Sequence, residues 1–241
     1  MNIANNKILI TGGASGIGLG LSIRFIAENN TVIIVGRRKS LLDDVSGKYP
    51  GIITRRSDLS NVQERENLFN WISREHADLN VLVNNAGIQQ RMSIADSDFY
   101  ARAKDEIAIN IEAPLHLTAL FSKLKSLNTI INISSGLAFV PMAGMPVYCA
   151  SKSFFHSFTL SLRHQFKARN IEIIELIPPA LNTDLGGKGL HTNAPPVSEF
   201  IETVFTQLKS GKTEISYGFS EAMTKATPDD LQKTFNRMNS A

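Results

Sequence analysis

A glycine-rich sequence near the N-terminus, at residues 12–18, most constrains the fold of this chain. It follows a short apolar run at residues 7–11 and precedes residues 19–28, which have helical periodicity. Glycines lie at positions 12, 16 and 18, where side chains would keep a backbone from approaching a ligand or a neighbouring strand. A turn of this kind directs backbone N–H groups and a helix N-terminus at an anion. The pattern predicts a strand, a phosphate-binding turn and a helix; a glycine turn without a ligand is the alternative.

Further short apolar runs alternate with helical stretches along the whole chain. They cover residues 31–35, 51–55, 81–83, 128–134, 172–177 and 214–217. Runs of this kind suit parallel strands that are covered by helices on both faces. We find no repeat and no linker in the 241 residues. The sequence therefore predicts one α/β domain over residues 1–241, a Rossmann-type doubly wound parallel sheet of about seven strands in the order 3-2-1-4-5-6-7.

Composition excludes several classes of function. The net charge is +3 and the basic residues are dispersed, which argues against nucleic-acid binding. The single Cys149 excludes an intrachain disulfide framework, and the absence of closely spaced His, Cys and carboxylate residues predicts no metal site. The chain shows no signal peptide and no apolar run of about 20 residues, so we expect a cytoplasmic protein without membrane insertion.

Polar or glycine residues follow six of the predicted strands. They are residues 11–18, Arg37, Asp58, residues 84–87, Ser135 and residues 178–183. Right-handed crossovers bring all such loops to the carboxyl edge of a parallel sheet, where open α/β sheets bind ligands. This convergence predicts a binding site at that edge.

Basic residues follow the second strand at Arg37, Arg38 and Lys39. An acid at this point would bind ribose hydroxyls, whereas a basic residue accommodates a 2′-phosphate. Arg37 therefore favours NADP(H), with NAD(H) as the alternative, while Lys39 is expected only to solvate the loop. Asp58 either belongs to the site or favours the N-terminus of the next helix, for which Ser60 begins a capping box.

Tyr148 and Lys152 are separated by one helical turn, and Ser135 lies thirteen positions upstream of the tyrosine at the end of a buried strand. A cation beside a phenol lowers its pKa and makes it useful for proton transfer. A solvated helix face would show the same spacing. Asn110 lies shortly before Pro114 in a helical region at residues 96–125, which predicts a kink near Asn110.

Together these features resemble the short-chain dehydrogenase/reductase family, from residue 7 to residue 217. The sequences Thr-Gly-x-x-x-Gly-Ile-Gly at 11–18 and Asn-Asn-Ala-Gly at 84–87 carry the resemblance, with the set Asn110, Ser135, Tyr148 and Lys152. Residues 178–183 resemble the segment that binds the nicotinamide carboxamide, although Pro179 replaces the usual glycine. Within the family, residues 176–187 are most similar to a bacterial oxidoreductase associated with teichoic acid D-alanylation genes.

The resemblance implies both a mechanism and a cofactor site. NADPH would give hydride to a carbonyl carbon while Tyr148 protonates its oxygen. Lys152 would lower the tyrosine pKa and bind the nicotinamide ribose, Ser135 would orient the carbonyl, and Asn110 would hold a water that relays protons. Asp58 would contact adenine, and Ser15 with Arg37 the 2′-phosphate. The residues implied in cofactor binding are Gly12, Ser15, Gly16, Ile17, Gly18, Arg37, Asp58, Leu59, Asn85, Ala86, Gly87, Tyr148, Lys152, Pro178, Leu181 and Thr183.

These observations predict an NADP(H)-dependent oxidoreductase that acts on a small-molecule carbonyl or alcohol. The residues expected around the substrate are mainly apolar, at 136–140, Met142, Met145, Leu185 and Leu190, with Arg91, Lys188 and His191 able to meet an anion. Residues 184–197 have the glycine content of a mobile lid. The family resemblance implies a homodimer or homotetramer. A non-catalytic dinucleotide sensor or scaffold is the alternative; an epimerase would need a larger segment after Thr183.

Overall fold

A computed structural model describes residues 1–240 and contains a single seven-stranded parallel sheet. Its strands run in the order β3-β2-β1-β4-β5-β6-β7. The predicted sheet and its strand order are therefore confirmed. The strands are β1 Lys7–Thr11, β2 Thr31–Gly36, β3 Ile52–Arg56, β4 Val81–Asn84, β5 Thr129–Ile133, β6 Glu172–Ile177 and β7 Glu214–Ser216.

β1 lies at the centre of the sheet and pairs on both edges. Its residue Leu9 lies opposite Ile33 of β2 and Leu82 of β4, and all three side chains are fully buried. Chain order reverses between β1 and β4, because β1 leads outward to β2 and β3 and the chain then returns to β4. Ligands of open α/β sheets bind at such a switch point.

Helices cover both faces of the sheet. They are α1 Gly16–Ala27, α2 Lys39–Lys48, α3 Val62–Glu75, α4 Phe99–Ile107, α5 Ala113–Phe121, α6 Pro146–Gln165, α7 Val197–Lys209, α8 Phe219–Thr224 and α9 Pro228–Asn239. One buried cluster joins α1 and α7 to one face, where the rings of Phe25 and Phe205 meet with centroids 4.8 Å apart. A second cluster joins α3 and α5 to the other face through Leu68 and Phe121. None of these helices combines the length and apolar content needed to span a membrane.

Three local features differ from the sequence prediction. α3 is capped by Asn61, whose Oδ1 accepts from the backbone N–H groups of Gln63 and Glu64; the predicted capping box starting at Ser60 is therefore wrong. Ser60 instead donates to Asp58. Two short helices, α2 and α8, are not predicted from the sequence; each has only two buried residues.

The distortion predicted near Asn110 takes a definite form. α4 and α5 are joined by a π-helical segment, Ala108–Glu112, in which Asn110 is buried. Pro114 lies in the first turn of α5, where the missing N–H costs little. The extra residue per turn in a π segment re-aims the side chains that follow, and such segments are frequent at functional sites.

Candidate active site

Thr11 joins the carboxyl ends of β1 and β4. Its hydroxyl donates to Val83 O at 3.1 Å and accepts from the backbone N–H groups of Asn85 (2.9 Å) and Ala86 (3.0 Å). Asn85 Nδ2 in turn donates to Thr11 O at 2.8 Å. The glycine turn after β1 and the sequence after β4 are thus fixed against each other, as the sequence placed them.

The glycines of the first turn are required for close packing. Gly12 and Gly16 have φ of 65° and 52°, in the left-handed region. A Cβ at Gly12 would lie 3.0 Å from Ala86 Cα, and a Cβ at Gly18 would lie 2.4 Å from Gly12 O. Gly16 faces Thr183, because its Cβ would lie 3.3 Å from Thr183 Cγ2. The turn is therefore adjacent to two other predicted cofactor segments.

The N-terminus of α1 has backbone N–H groups that are free to bind an anion. Ser15 is the N-cap residue, yet its side chain makes no capping hydrogen bond, and the first turn contains no acidic residue. Gly16 and Ile17 therefore begin a helix whose first N–H groups have no side-chain acceptor. An anion is the natural partner for such groups.

Arg38, rather than Arg37, contacts Ser15. Arg38 Nη2 donates to Ser15 Oγ at 3.2 Å, whereas the backbone carbonyl of Arg37 accepts from Arg56 Nε at 3.4 Å. The family resemblance implies that Ser15 and Arg37 bind a 2′-phosphate and gives no role to Arg38; the run of basic residues after β2 is the only signal in the sequence for the Arg38 contact. Lys39 forms a surface pair with Asp43 at 2.6 Å, as a solvating residue does.

Asp58 and Leu59 follow β3 at the same edge. Burial alone would raise the pKa of Asp58, but hydrogen bonds from the Ser60 hydroxyl and amide, with the charges of Arg37 and Arg56, outweigh burial and lower it. Asp58 is therefore a firm carboxylate at neutral pH. Leu59 and Ala86 line one small cavity together with Thr11.

Tyr148 and Lys152 lie one turn apart near the start of α6, and Ser135 lies beside them. All three are at least nine-tenths buried. Lys152 Nζ lies 5.6 Å from the centroid of the Tyr148 ring and donates to Ile133 O, the last residue of β5, at 2.9 Å. The Ser135 hydroxyl is near enough to the Tyr148 phenol to oppose a rise in its pKa. A phenol, an ammonium group and a hydroxyl thus meet at the carboxyl end of β5.

The pKa of Tyr148 differs from the sequence prediction. Burial raises it well above 10, ionisation of Cys149 and Glu106 adds to the rise, and only Ser135 opposes it. Burial also lowers the pKa of Lys152 to about 8. The expected lowering of the tyrosine pKa by Lys152 does not appear in this structure, because desolvation of the buried phenol dominates.

Asn110 binds the segment that follows β4. Its Oδ1 accepts from Ile88 N at 2.9 Å, its Nδ2 donates to Ile88 O at 2.8 Å, and Nδ2 also donates to Ser151 Oγ at 3.2 Å. A Cβ at Gly87 would lie 3.4 Å from Asn110 Oδ1 and 3.8 Å from Lys152 Nζ. Gly87, Asn110 and Lys152 therefore converge.

The segment after β6 borders the same site. Pro178 O accepts from Gly136 N at 3.2 Å, Leu181 is buried, and Thr183 Oγ1 accepts from Leu185 N at 3.4 Å. Residues 184–196 form turns without a helix or strand, with positive φ at three glycines. Leu185 packs with Leu137, Met142 and Met145 around Tyr148 and Cys149.

His191 and Leu190 are two further residues that the sequence places near the substrate. His191 Nε2 lies 3.0 Å from Leu185 O, so it ties the loop to itself, and Leu190 is 60% exposed. His156 lies one turn beyond Lys152 and is hydrogen-bonded to the buried Glu175, which raises its pKa. Within residues 1–240, no group of three or more His, Cys, Asp or Glu side chains is arranged to hold a metal ion.

Comparison with known proteins gives consistent results. A family model described as short chain dehydrogenase matches residues 6–194. The chain is 40% identical over 249 aligned residues to the uncharacterized oxidoreductase DltE of Bacillus subtilis (strain 168), covering 99% of this chain and 98% of that protein.

Solved structures show the same fold. A short chain dehydrogenase from Burkholderia cenocepacia J2315, in complex with NADP, superposes with a TM-score of 0.86 at 24% identity over 100% of both chains. A short chain dehydrogenase/reductase from Burkholderia phymatum, in complex with NAD, gives a TM-score of 0.81 at 16% identity, covering 100% of this chain and 99% of that one.

Proposed function

The chain belongs to the short-chain dehydrogenase/reductase family of oxidoreductases, and from this premise we propose that it reduces the carbonyl group of a small, moderately apolar substrate with NADPH. The observation that carries the proposal is the meeting of Tyr148, Ser135, Lys152 and Asn110 at the carboxyl edge of the sheet, beside the glycine turn. The reverse oxidation of the alcohol uses the same groups.

In this proposal each side chain has a distinct task. Tyr148 Oη gives its proton to the substrate oxygen. The raised pKa of Tyr148 means that the phenol is in its protonated form across the neutral range. The Ser135 hydroxyl orients the carbonyl oxygen. Tyr148 regains its proton through Lys152 and a water held by Asn110. Gly87 lies next to both of these side chains. When bound, the dinucleotide supplies the hydride.

Residues of five loops would hold the cofactor. The pyrophosphate would lie on the N-terminus of α1, at Gly16 to Gly18, and the adenine near Asp58, Leu59 and Ala86. Lys152 would bind the nicotinamide ribose, and the carboxamide would lie against Leu181 and Thr183, since Pro179 has no N–H to offer. The remaining residues that we assign to the cofactor are Gly12, Ser15, Ile17, Arg37, Asn85, Gly87, Tyr148 and Pro178.

NADP(H) is preferred over NAD(H) in this proposal, with Arg37 and Arg38 holding the 2′-phosphate together with Ser15. We expect Arg38→Ala to weaken NADPH binding roughly 10- to 100-fold, because a charge-assisted contact to phosphate is lost. NADH binding should change little. Fluorescence titration of the purified variants with both nucleotides measures this.

Lys39→Ala is the matched control, since Lys39 is the next basic residue but pairs with Asp43. It should bind both nucleotides as the wild type does. Arg37→Ala distinguishes the roles of the two arginines. If only Arg37→Ala weakened NADPH binding, Arg37 rather than Arg38 would hold the 2′-phosphate. Equal binding of NADPH and NADH by all four proteins would contradict the NADP(H) assignment.

The substrate would lie against the apolar side chains around Tyr148, under a lid formed by residues 184–197. Leu185 supports this because it packs beside Tyr148 from within the lid. The test is a carbonyl screen with NADPH as reductant, in which NADPH oxidation is measured as the loss of absorbance at 340 nm. Turnover of medium-sized ketones and aldehydes is expected. A screen in which only small, highly polar sugars react would overturn the substrate class.

We also propose a homodimer or homotetramer that acts in the cytoplasm. Tyr100 and Ile107 on α4 and Leu160 on α6 are exposed large apolar side chains, and helices with exposed apolar residues are suited to bury them in an interface. The only cysteine, Cys149, is buried and unpaired, as in reduced compartments. A monomeric mass by light scattering would contradict the assembly.

A further inference from the structure

The segment at residues 88–92 is held by side chains of α4 and of the π-helical segment that follows it. Asn110 binds both backbone groups of Ile88. Glu106, one turn earlier, accepts a hydrogen bond from the backbone N–H of Gln90. The helix face that carries Asn110 therefore also fixes the next residues of the segment.

Arg102 adds a third contact one turn earlier still. Its Nη2 donates to Arg91 O, in the same segment. The positive charge of Arg102 is directed at Asp96 and Asp98, with Nη1 at 3.5 and 3.4 Å from their carboxylate oxygens. The Gln90 side chain also exchanges hydrogen bonds with Arg102, at 3.2 and 3.3 Å. The segment is thus tied to α4 at successive positions, and only the Glu106 contact is made by a carboxyl group.

The opposite side of this segment faces the substrate region. Met92 N donates at 3.0 Å to Gly144 O, four residues before Tyr148. Gln89 contacts the lid, because a Cβ at Gly186 would lie 2.9 Å from Gln89 Oε1. The position of the 88–92 segment therefore sets the distance between the lid and the turn that precedes Tyr148.

Glu106 is an unusual residue for this place. Its side chain is fully buried, its Oε2 has no hydrogen-bond partner, and no cation among residues 1–240 forms a salt bridge with it. The charged or titratable groups nearest to it are Arg102 on its own helix and Tyr148 and Cys149 on α6. Arg91, the one charged residue of the segment, has its guanidinium beside Gly144.

We propose that Glu106 is a proton-dependent positioning residue, which holds the 88–92 segment on α4 when its carboxyl group is neutral and loosens it when the carboxyl group ionises. Burial raises the pKa of Glu106 to about 7, against the opposing effects of Gln90 N–H and Arg102. An opened segment would hydrate the carboxyl group and restore its ordinary value of 4.5. The closed state therefore binds the proton more tightly, and rising pH favours opening up to about pH 7.

Amide hydrogen exchange tests this without turnover. We expect the protection of peptides covering residues 88–92, corrected for intrinsic exchange, to fall several-fold between pH 6 and pH 8.5 in the wild type. Glu106→Gln keeps a neutral acceptor for Gln90 N–H and should be equally protected at both pH values. Asp105→Asn, which removes an exposed carboxyl group from the adjacent position of α4, should behave as the wild type does.

Thermal unfolding provides a second measurement. The folded-state pKa of Glu106 lies above its ordinary value of 4.5, so the wild type loses stability as pH rises from 4.5 to about 7. Glu106→Gln should therefore raise Tm at pH 8.5 and leave it unchanged at pH 4.5. A pH-dependent loss of protection that persists in Glu106→Gln, or a wild type that shows no such loss, would overturn the proposal.

The kinetic consequence rests on the proposed function. At saturating NADPH, the KM for the carbonyl substrate should rise several-fold from pH 6 to pH 8.5 in the wild type, with a smaller change in kcat, and stay flat in Glu106→Gln. A pH-independent wild-type KM would count against a role for Glu106 at the site. If no carbonyl compound reacts, the proposed function fails, while the exchange experiment still decides the role of Glu106.

Discussion

Tyr148→Phe should reduce turnover by about 10²- to 10⁴-fold, the usual contribution of a positioned proton donor. The substitution removes only the phenolic oxygen. The ring stays packed with Leu137, Met145 and Leu185, so the fold and the apolar wall are kept. NADPH binding should persist with little change, because the other cofactor contacts are untouched. Initial rates at saturating NADPH, with titration of the same preparation, measure both quantities.

Tyr49→Phe is the matched control for this substitution. Tyr49 is partly buried at the end of α2, where its ring packs against the buried cluster that includes α1 and α7. Its hydroxyl makes no hydrogen bond with residues 1–240. Activity of this variant should equal that of the wild type. If Tyr148→Phe retained more than a tenth of wild-type kcat, the proton would have to come from another group. Loss of activity together with loss of NADPH binding would indicate damage to the site rather than loss of a proton donor.

The sequence was sufficient for the architecture because the relevant signals are local. Apolar runs such as residues 31–35 and 81–83 are too short and too uniform for helices, and their alternation with helical stretches permits few topologies. The carboxyl edge of the sheet then follows, and with it the joint placement of the glycine turn, Asn85 and Ser135. The contacts of Thr11 with Asn85 and Ala86 show how directly that edge brings distant residues together.

The sequence could not predict which of two neighbouring side chains makes a contact, or in which direction burial shifts a pKa. Arg37 and Arg38 are neighbours in the chain, and only the backbone direction after β2 decides that Arg38 reaches Ser15. The spacing of Tyr148 and Lys152 shows their proximity but not the loss of water around both, which reverses the expected shift of the tyrosine pKa. Glu106 is an ordinary residue in a helical sequence, and its burial depends on how α4 packs against α6.

Gly18→Ala should have the second large effect, on stability as well as on binding. A Cβ at this position would lie 2.4 Å from Gly12 O and 2.5 Å from Asn85 Nδ2. The first neighbour is backbone and the second side chain is fixed by its bond to Thr11 O, so neither can move freely. The helix must shift away from the sheet. We expect a loss of about 2–3 kcal/mol in the free energy of unfolding, as for other overpacked sites.

The same shift moves the N-terminus of α1 away from Thr11 and the sequence after β4. NADPH affinity should therefore fall even at temperatures where Gly18→Ala remains folded. Urea unfolding and fluorescence titration give the two effects separately.

Gly47→Ala in α2 is the control, because a Cβ there meets no atom within 4 Å. It should leave NADPH binding unchanged and stabilise the fold by up to about 1 kcal/mol through helix propensity. Equal unfolding midpoints for Gly18→Ala and the wild type would show that β1 and α1 can separate without cost, and the proposed seat of the pyrophosphate would then lose its geometric basis.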